Sequence, residues 1–447
     1  MKKNLIRCGL SLFFITTSYL KLSAQLTFSA QLRTRSEFRD GQGAPLPENA
    51  SPAFFTSQRT RFGLAFKSTR VKLNLTAQDV RVWGQDVSTI NRTTTQNNNA
   101  FMLHEAWAEV LLSDTAVKNK AFSLKVGRQE LVYDDQRLLG NLDWLQQARR
   151  HDAALLKYET DKWMLHGGAA FNQNQENASG TVYNPTPPGN YTASTNGGNM
   201  YKSLEFVYAG KKLAKGNVSF LFLADQFSKY NNDSTGAKVY QTGVWSRSTT
   251  GFYFNDVFSK IGVTAAAYYQ FGKTASGQKI NAGLLSGFAN YLFNKKTSAG
   301  IGIDYYTGGT NGATSNAFDP LYGTPHKLAG LMDYYYAASG FGKKGLIDYY
   351  IKTKYKSASD KFWLTADLHQ FTSATAVTGF NTRSFGEEFD LVANYALNKI
   401  ISFEGGYGHY FSTDALTSAT VKNVANARSN GNWAYLSINI KPEFLIK

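Results

Sequence analysis

Apolar and polar residues alternate with a period of two along almost the whole chain, in blocks of about ten to fifteen residues that no long apolar run interrupts. Side chains of an extended strand point alternately to opposite faces, so each block reads as a strand with one greasy and one polar face. The blocks predict strands at 26–39, 56–68, 70–82, 101–112, 121–130, 151–160, 162–172, 202–211, 216–227, 238–255, 259–272, 279–293, 297–307, 345–356, 360–372, 385–396, 400–412 and 430–441. The count is about 18 and even.

The connections alternate in length. Odd ones are mostly long and polar, such as Asn91–Asn99 and the Gly/Asn/Pro-rich stretch from Asn172 to Tyr201. Even ones are short, such as Glu159-Thr160-Asp161-Lys162, Asn294-Lys295-Lys296 and Leu397-Asn398-Lys399. Long loops on one side, short turns on the other and an even strand count describe an all-β fold: a transmembrane antiparallel β-barrel with extracellular loops and periplasmic turns.

Parity assigns side chains to lipid or lumen. Leu26, Phe28, Ala30 and Leu32 share one face of the first strand, and Arg33, Arg35 and Glu37 share the other. Phe62, Leu64 and Phe66 oppose Arg59, Arg61 and Lys67, and Val71, Leu73 and Leu75 oppose Arg70, Lys72 and Gln78. A charge facing lipid at the bilayer midplane costs ~2–4 kcal/mol, so the apolar sets face lipid and three neighbouring strands present a basic stripe inward. The same parity places Glu105, Glu109, Glu205, Asp304, Asp348, Asp367, Glu388, Asp390 and Glu404 inward as an opposing acidic wall, with Lys352 and Lys354 among them. Walls of opposite sign set a transverse field across a water-filled passage. The competing reading is that these charges pair and plug the barrel.

No linker divides the 447 residues, and one large barrel accounts for them, since a tilted membrane strand needs about 9–11 residues. A negative mean hydropathy of −0.34 fits spans in which only alternate residues meet lipid. Residues 1–24 read as a signal peptide, with a basic start at Lys2, Lys3 and Arg7, an apolar stretch from Cys8 to Leu20 and a small residue, Ala24, before Gln25. The barrel is then residues 25–447. Cys8, the only cysteine, leaves with the leader, so disulfides play no part. The leader's four basic residues and no acidic one lower the whole-chain charge of +16 to +12 in the mature chain. A cationic, anion-favouring channel explains that excess, and so does contact with outer-membrane lipid and anionic lipopolysaccharide.

Aromatic residues make up 14% of the chain. Tyr349, Tyr355, Tyr395, Tyr407 and Phe411 fall on lipid-facing parity near strand ends, as girdle residues do. Trp107, Trp363, Tyr350 and Tyr435 fall inward, where they pack or stack on sugar rings. The six histidines show no metal spacing, no GxSxG elbow, Walker loop or dinucleotide fingerprint is present, and nothing in the spacing favours a hydrolase at His326 or His369. No cofactor is implied, no nucleic-acid module is present, and no subunit-interface signature argues against a monomer.

Three stretches carry a resemblance: Val126-Gly127-Arg128-Gln129-Glu130-Leu131, Asp134-Asp135-Gln136-Arg137-Leu138-Leu139-Gly140, and Asp143-Trp144-Leu145-Gln146-Gln147-Ala148-Arg149-Arg150-His151-Asp152-Ala153. Together they resemble the central signature of the alginate-export family of outer-membrane porins. Gln31-Leu32-Arg33-Thr34-Arg35, Gln58-Arg59-Thr60-Arg61-Phe62-Gly63 and His104-Glu105-Ala106-Trp107 look like the same family, and Phe318–Lys327 with Gly330–Tyr334 is similar to its members from Bacteroidetes-type bacteria. The resemblance implies an eighteen-stranded barrel whose arginine-rich constriction conducts an anionic polysaccharide. By motif position it points to Arg59, Arg61, Arg128, Arg137, Arg149 and Arg150. Arg128 lies on lipid-facing parity, so its place in a constriction requires a bulge that turns it inward. Unlike the family's exporters, which guard the periplasmic mouth with an extended turn, this chain has periplasmic turns of about eight residues or fewer.

The apolar middle of residues 131–150, with Leu138, Leu139, Leu142 and Trp144, predicts a loop that either folds into the lumen and narrows it or packs against the barrel rim. The expected function is passive diffusion or export of anionic saccharides, with Arg33, Arg35, Arg59, Arg61, Arg70 and Lys72 attracting carboxylates and acids such as Glu105 and Glu109 easing release. Direction follows the gradient or a periplasmic partner. A general or uptake porin is the alternative within the fold, and a surface adhesin using loops 173–201 and 308–344 the alternative from another class.

Overall fold

A computed structural model describes residues 25–84, 101–172, 201–335 and 343–446. The proposed leader, 1–24, lies outside them, as do 85–100, 173–200 and 336–342 of the long connections. The wall begins with β1 Gln25–Asp40, β2 Ala53–Lys67, β3 Val71–Val82, β4 Met102–Leu111, β5 Lys120–Gln129, β6 His151–Thr160 and β7 Trp163–Phe171. It continues with β8 Ser203–Lys212, β9 Asn217–Asn232, β10 Lys238–Phe258, β11 Ile261–Lys273, β12 Lys279–Leu292 and β13 Thr297–Tyr306. Two-residue strands β14 Thr310–Asn311 and β15 Thr314–Ser315 form a small hairpin in the next connection. The wall resumes with β16 Leu346–Lys356, β17 Phe362–Thr372, β18 Ser384–Ala396, β19 Ile401–Ser412 and β20 Asn430–Ile440, and β21 Glu443–Ile446 follows it.

Each wall strand pairs antiparallel with its neighbours in sequence, β13 pairs with β16, and β20 returns to β1 with Leu32 opposite Ile440 and Asp40 opposite Asn432. The result is a closed antiparallel barrel of 18 strands. Closure leaves no open sheet edge, the condition a sheet must meet to stand in lipid. All eighteen expected strands are present, displaced by a few residues at most except at β9, which runs on to Asn232. Among the described residues no helix is long and apolar enough to cross a membrane.

The outer face carries the apolar parity, with Phe62, Leu73, Leu75, Leu285 and Ile301 all exposed, and the five expected girdle aromatics are exposed as well. An eighteen-stranded cylinder has a bore wide enough for water unless loops enter it. Two do. Residues 130–150, between β5 and β6, fold inward, one of the two expected placements, and bury Leu131, Leu138, Leu139 and Leu142. The connection after β13 does the same: Phe318, Leu321, Tyr322, Met332, Tyr334 and Tyr335 are all buried. Each fully buried side chain of this size contributes roughly 1.5–3 kcal/mol, so both loops are held as packed bodies. Most of the described residues 314–335 are therefore lumen filling, whereas 310–313 are exposed.

The two loops meet along a short seam. Leu139 bridges Tyr322, the Gly140 N–H donates to the Tyr322 carbonyl at 2.9 Å, and the Thr324 N–H donates to the Gln136 carbonyl at 2.8 Å. Gly323 stands where a Cβ would lie 2.1 Å from the Arg137 carbonyl oxygen, so the seam closes only around glycine.

The apolar loop interiors invert the polarity of part of the wall. Leu204, Phe206 and Tyr208 of β8 and Leu221 and Leu223 of β9 are buried against them. Glu205, between Leu204 and Phe206, consequently faces outward, where it accepts a hydrogen bond from Gln226 at 3.3 Å. Its expected inward position is overturned because parity fixes only which residues share a face, and here the inward face is the apolar one.

Candidate functional site: an arginine cluster closed by a loop carboxylate

The antiparallel register of β1 and β2 sets Arg33 directly opposite Arg59, and Gln31 opposite Arg61. Like charges directly opposite on one face repel. Their counter-charge comes from the first inward loop: Asp143 accepts from Arg59 at 2.8 Å, pairs with Arg33 at 3.3 Å and stands 3.5 Å from Arg61. Gln146 accepts from Arg33 Nε at 3.0 Å and donates to Ser57 at 3.0 Å, while Gln78 accepts from Arg61 Nε at 2.6 Å. Arg61 also contacts His104, 3.0 Å away, which in turn lies 2.8 Å from Glu130.

Burial pushes the Asp143 carboxyl up, and Arg59, Arg33 and Arg61 outweigh it, holding the group below its ordinary value of 3.8. Asp143 stays ionised through the physiological range. Its side chain is 45% exposed, while those of Arg33, Arg59 and Arg61 are 12%, 1% and 15% exposed, so the carboxylate is the accessible member of the cluster. Three guanidiniums on one carboxylate leave a local excess of positive charge.

Arg35 stands beside this cluster and is buried. It donates to the Trp144 carbonyl at 2.7 Å and to Glu37 at 2.8 Å, and its guanidinium carbon lies 3.9 Å from the Trp144 ring centre. Trp144 stacks on His326 of the second loop, with ring centres 4.2 Å apart and planes 8° from parallel. Tyr435 packs its edge against the same indole.

The remaining expected site residues lie apart from this cluster. Lys72 and Glu109 pair at 3.1 Å toward the short-turn mouth, where Lys157 joins Glu109 at 3.0 Å, and Glu105 accepts from Trp107 and Asn74. Arg70 is exposed in the turn after β2 and donates to the Leu111 carbonyl, outside any constriction. Arg137 reaches the opposite wall: it is buried, bonded to Asp304 at 2.7 Å and Asp135 at 3.2 Å. Burial would lower its pKa, but Asp304 and Asp135 raise it well above the ordinary value. Arg149 is fully buried and donates to the carbonyls of Gly323, Gly140 and Tyr322, clamping the loop seam. Arg150 is buried near Met102.

Arg128 does not enter the lumen. Gly127 has φ of +120°, but the register with β6 runs on unbroken through Gly127 opposite Ala153 and Arg128 opposite Asp152. Arg128 therefore keeps outward parity and forms a two-pronged pair with Asp152, each arm 2.8 Å. Strand parity, and not the family motif, gave its direction.

Sequence reading assigned the arginines and missed their partner. Asp143, Trp144 and Gln146 stood inside the quoted signature, and charge complementarity between an acid of the inward-folding loop and the basic stripe was the available signal.

Residues 24–179 match the family described as alginate export, the segment holding the arginine cluster and Asp143. Over that segment the chain is similar to the alginate export family. No curated protein matches the sequence. Among solved structures, the chain resembles OccK9 (OpdG) of Pseudomonas aeruginosa, with a TM-score of 0.61 at 14% identity over 94% of this chain and 99% of the other. OccAB4 of Acinetobacter baumannii gives a TM-score of 0.60 at 11% identity over 95% and 99%. OpdK of Pseudomonas aeruginosa, solved with vanillate, gives 0.60 at 9% identity over 94% and 99%. These likenesses establish the barrel, in which the family match extends over the first third and the fold over the rest. The closed antiparallel barrel of 18 strands is the fold that these proteins share.

Proposed function

We propose that the channel passes anionic saccharides, including uronate polymers, by passive diffusion along an arginine-lined path that the 130–150 loop guards. The observation that carries this reading is the convergence of Arg33, Arg59 and Arg61 on the single carboxylate of Asp143. A planar, two-pronged guanidinium is the side chain best matched to a carboxylate, and three of them fixed on adjacent strands form a pre-organised set of donors for one. Glu404, two strands from Arg33 on the same side of the barrel, adds a nearby negative charge that keeps residence short, which conduction requires. Arg35 with Trp144 and Tyr435 adds aromatic surface beside the charges.

Current block in a planar bilayer tests this. Oligomers of an acidic sugar are expected to block the open channel at lower concentration than neutral oligosaccharides of equal length, and Arg59→Ala with Arg61→Ala is expected to remove the difference. Equal block by acidic and neutral oligomers of the intact channel would remove the anionic substrate from the reading.

A further inference from the structure

The excess of positive charge is concentrated at the periplasmic end of the barrel. Each of the eight periplasmic turns carries its own cation, beginning with Arg70, Lys118, Lys162 and Lys215, every one of them exposed. Lys260, the adjacent pair Lys295 and Lys296, Lys361 and Lys399 complete the circle, also exposed. The same turns hold three acids, Asp114, Asp161 and Asp360, and Asp360 is taken by Lys356 at 3.2 Å. The lumen, by contrast, sets acids against most of its cations. The charge is therefore a collar, on the face opposite the outer leaflet in which lipopolysaccharide lies.

One sector of the collar sits below an apolar groove of about 610 Å³ on the outside of β10 to β13. Its sides are Phe252, Phe254, Leu285 and Ile303. Its floor is Ala265, Ala267 and Gly287, and a Cβ on Gly287 would meet nothing within 4 Å. Ala265 lies four residues along β11 from Ile261, roughly 13 Å from the turn that carries Lys260. That turn and its two neighbours hold Lys215, Lys260, Lys295 and Lys296.

We infer that the periplasmic collar binds anionic phospholipid of the inner leaflet of the outer membrane, with its tightest site in this sector, where one molecule lays an acyl chain in the groove and its phosphate among the four lysines. Three features select lipid over a soluble polyanion. The cations occur on every turn around the circumference, as contact with a surrounding headgroup layer requires, whereas a polymer passing the mouth meets only inward groups. The groove faces hydrocarbon, where a chain is the available occupant. Aromatic residues at the same level, such as Trp163 with Lys211 5.3 Å from its ring, are placed for the interface. A basic residue near an anionic membrane surface gains about 1 kcal/mol, so four together are expected to favour an anionic over a zwitterionic lipid at least about tenfold.

Native mass spectrometry of the full-length protein in detergent tests this with phosphatidylglycerol and phosphatidylcholine of identical chains. Preferential retention of phosphatidylglycerol is expected. It should fall to the phosphatidylcholine level in the K215Q/K260Q/K295Q/K296Q variant, decline in A265F/G287F, which fills the groove without changing charge, and decline with rising salt in the unmodified protein, a reading that needs no variant to fold. Equal retention of the two lipids, a preference untouched by salt or by the four substitutions, or displacement of the bound lipid by a soluble oligouronate would overturn the inference, the last assigning the collar to polymer.

Discussion

Asp143 and Arg137 lie on the same inward loop and face opposite walls of the lumen: Asp143 bonds Arg59 of β2 at 2.8 Å, and Arg137 bonds Asp304 of β13 at 2.7 Å. The loop thus carries to each wall the charge that wall lacks. A transverse field between the basic and acidic walls is reduced where the loop crosses it. The two latches differ in strength, because Arg137 and Asp304 are both buried while Asp143 is half exposed.

Replacing Asp143 with Asn removes the only carboxylate shared by Arg33, Arg59 and Arg61. A fully buried pair broken on one side costs about 3–5 kcal/mol, and the exposure of Asp143 reduces this to roughly 1–2 kcal/mol. The barrel is expected to fold normally, with higher single-channel conductance and stronger anion preference in planar bilayers. Unchanged conductance would separate Asp143 from gating.

Acid should act in the same direction. The folded pKa of Asp143 lies below the ordinary 3.8, so its contribution to latching is complete above that value and is lost only as pH falls through the depressed folded value. Conductance measured down a pH series is expected to stay flat to about pH 4 and to rise beneath it, and Asp143→Asn is expected to abolish the rise attributable to this group.

The loop seam has a separate weak point. An Ala at Gly323 would put a Cβ 2.1 Å from the Arg137 carbonyl oxygen, a backbone atom that cannot move aside alone. Overpacking of this kind costs about 1–3 kcal/mol. Gly323→Ala is expected to lower the thermal midpoint of the folded barrel, followed by heat-modifiable gel mobility, and to increase current noise, while Gly167→Ala, whose Cβ would meet nothing within 4 Å, leaves the noise unchanged.

The wall was fully legible in the sequence, because alternation with period two is a local property and each strand states its own. The burial of 130–150 was legible for a similar reason: Leu138, Leu139 and Leu142 in a polar connection demand it. The second loop was not, since Phe318, Tyr322 and Tyr334 are spread through Gly- and Asn-rich sequence that reads as surface. Pairings across the lumen were equally hidden. Arg33 and Asp143 stand 110 residues apart, and no local pattern links them. Glu205 was misplaced because apolar loops facing β8 make the inward face the greasy one, and Arg128 because a motif was weighed above the parity of its own strand.

Lys422 links three extracellular connections. Its ammonium donates to the carbonyls of Gly43 and Tyr334, and burial pushes its pKa down to about 8 from 10.5. The unfolded chain then binds more protons than the folded one between those values, so this group makes stability rise with pH across that window. The thermal midpoint is expected to climb from pH 8 to pH 10 relative to Lys422→Met, in which that part of the slope disappears.

The most direct measurement is the reversal potential of the reconstituted channel under a potassium chloride gradient, compared with the same channel bearing Arg33→Ala, Arg59→Ala and Arg61→Ala. The expected result is anion preference in the first and its loss in the second at similar conductance. An identical reversal potential in the two channels would contradict the assignment of the selective constriction to this arginine cluster.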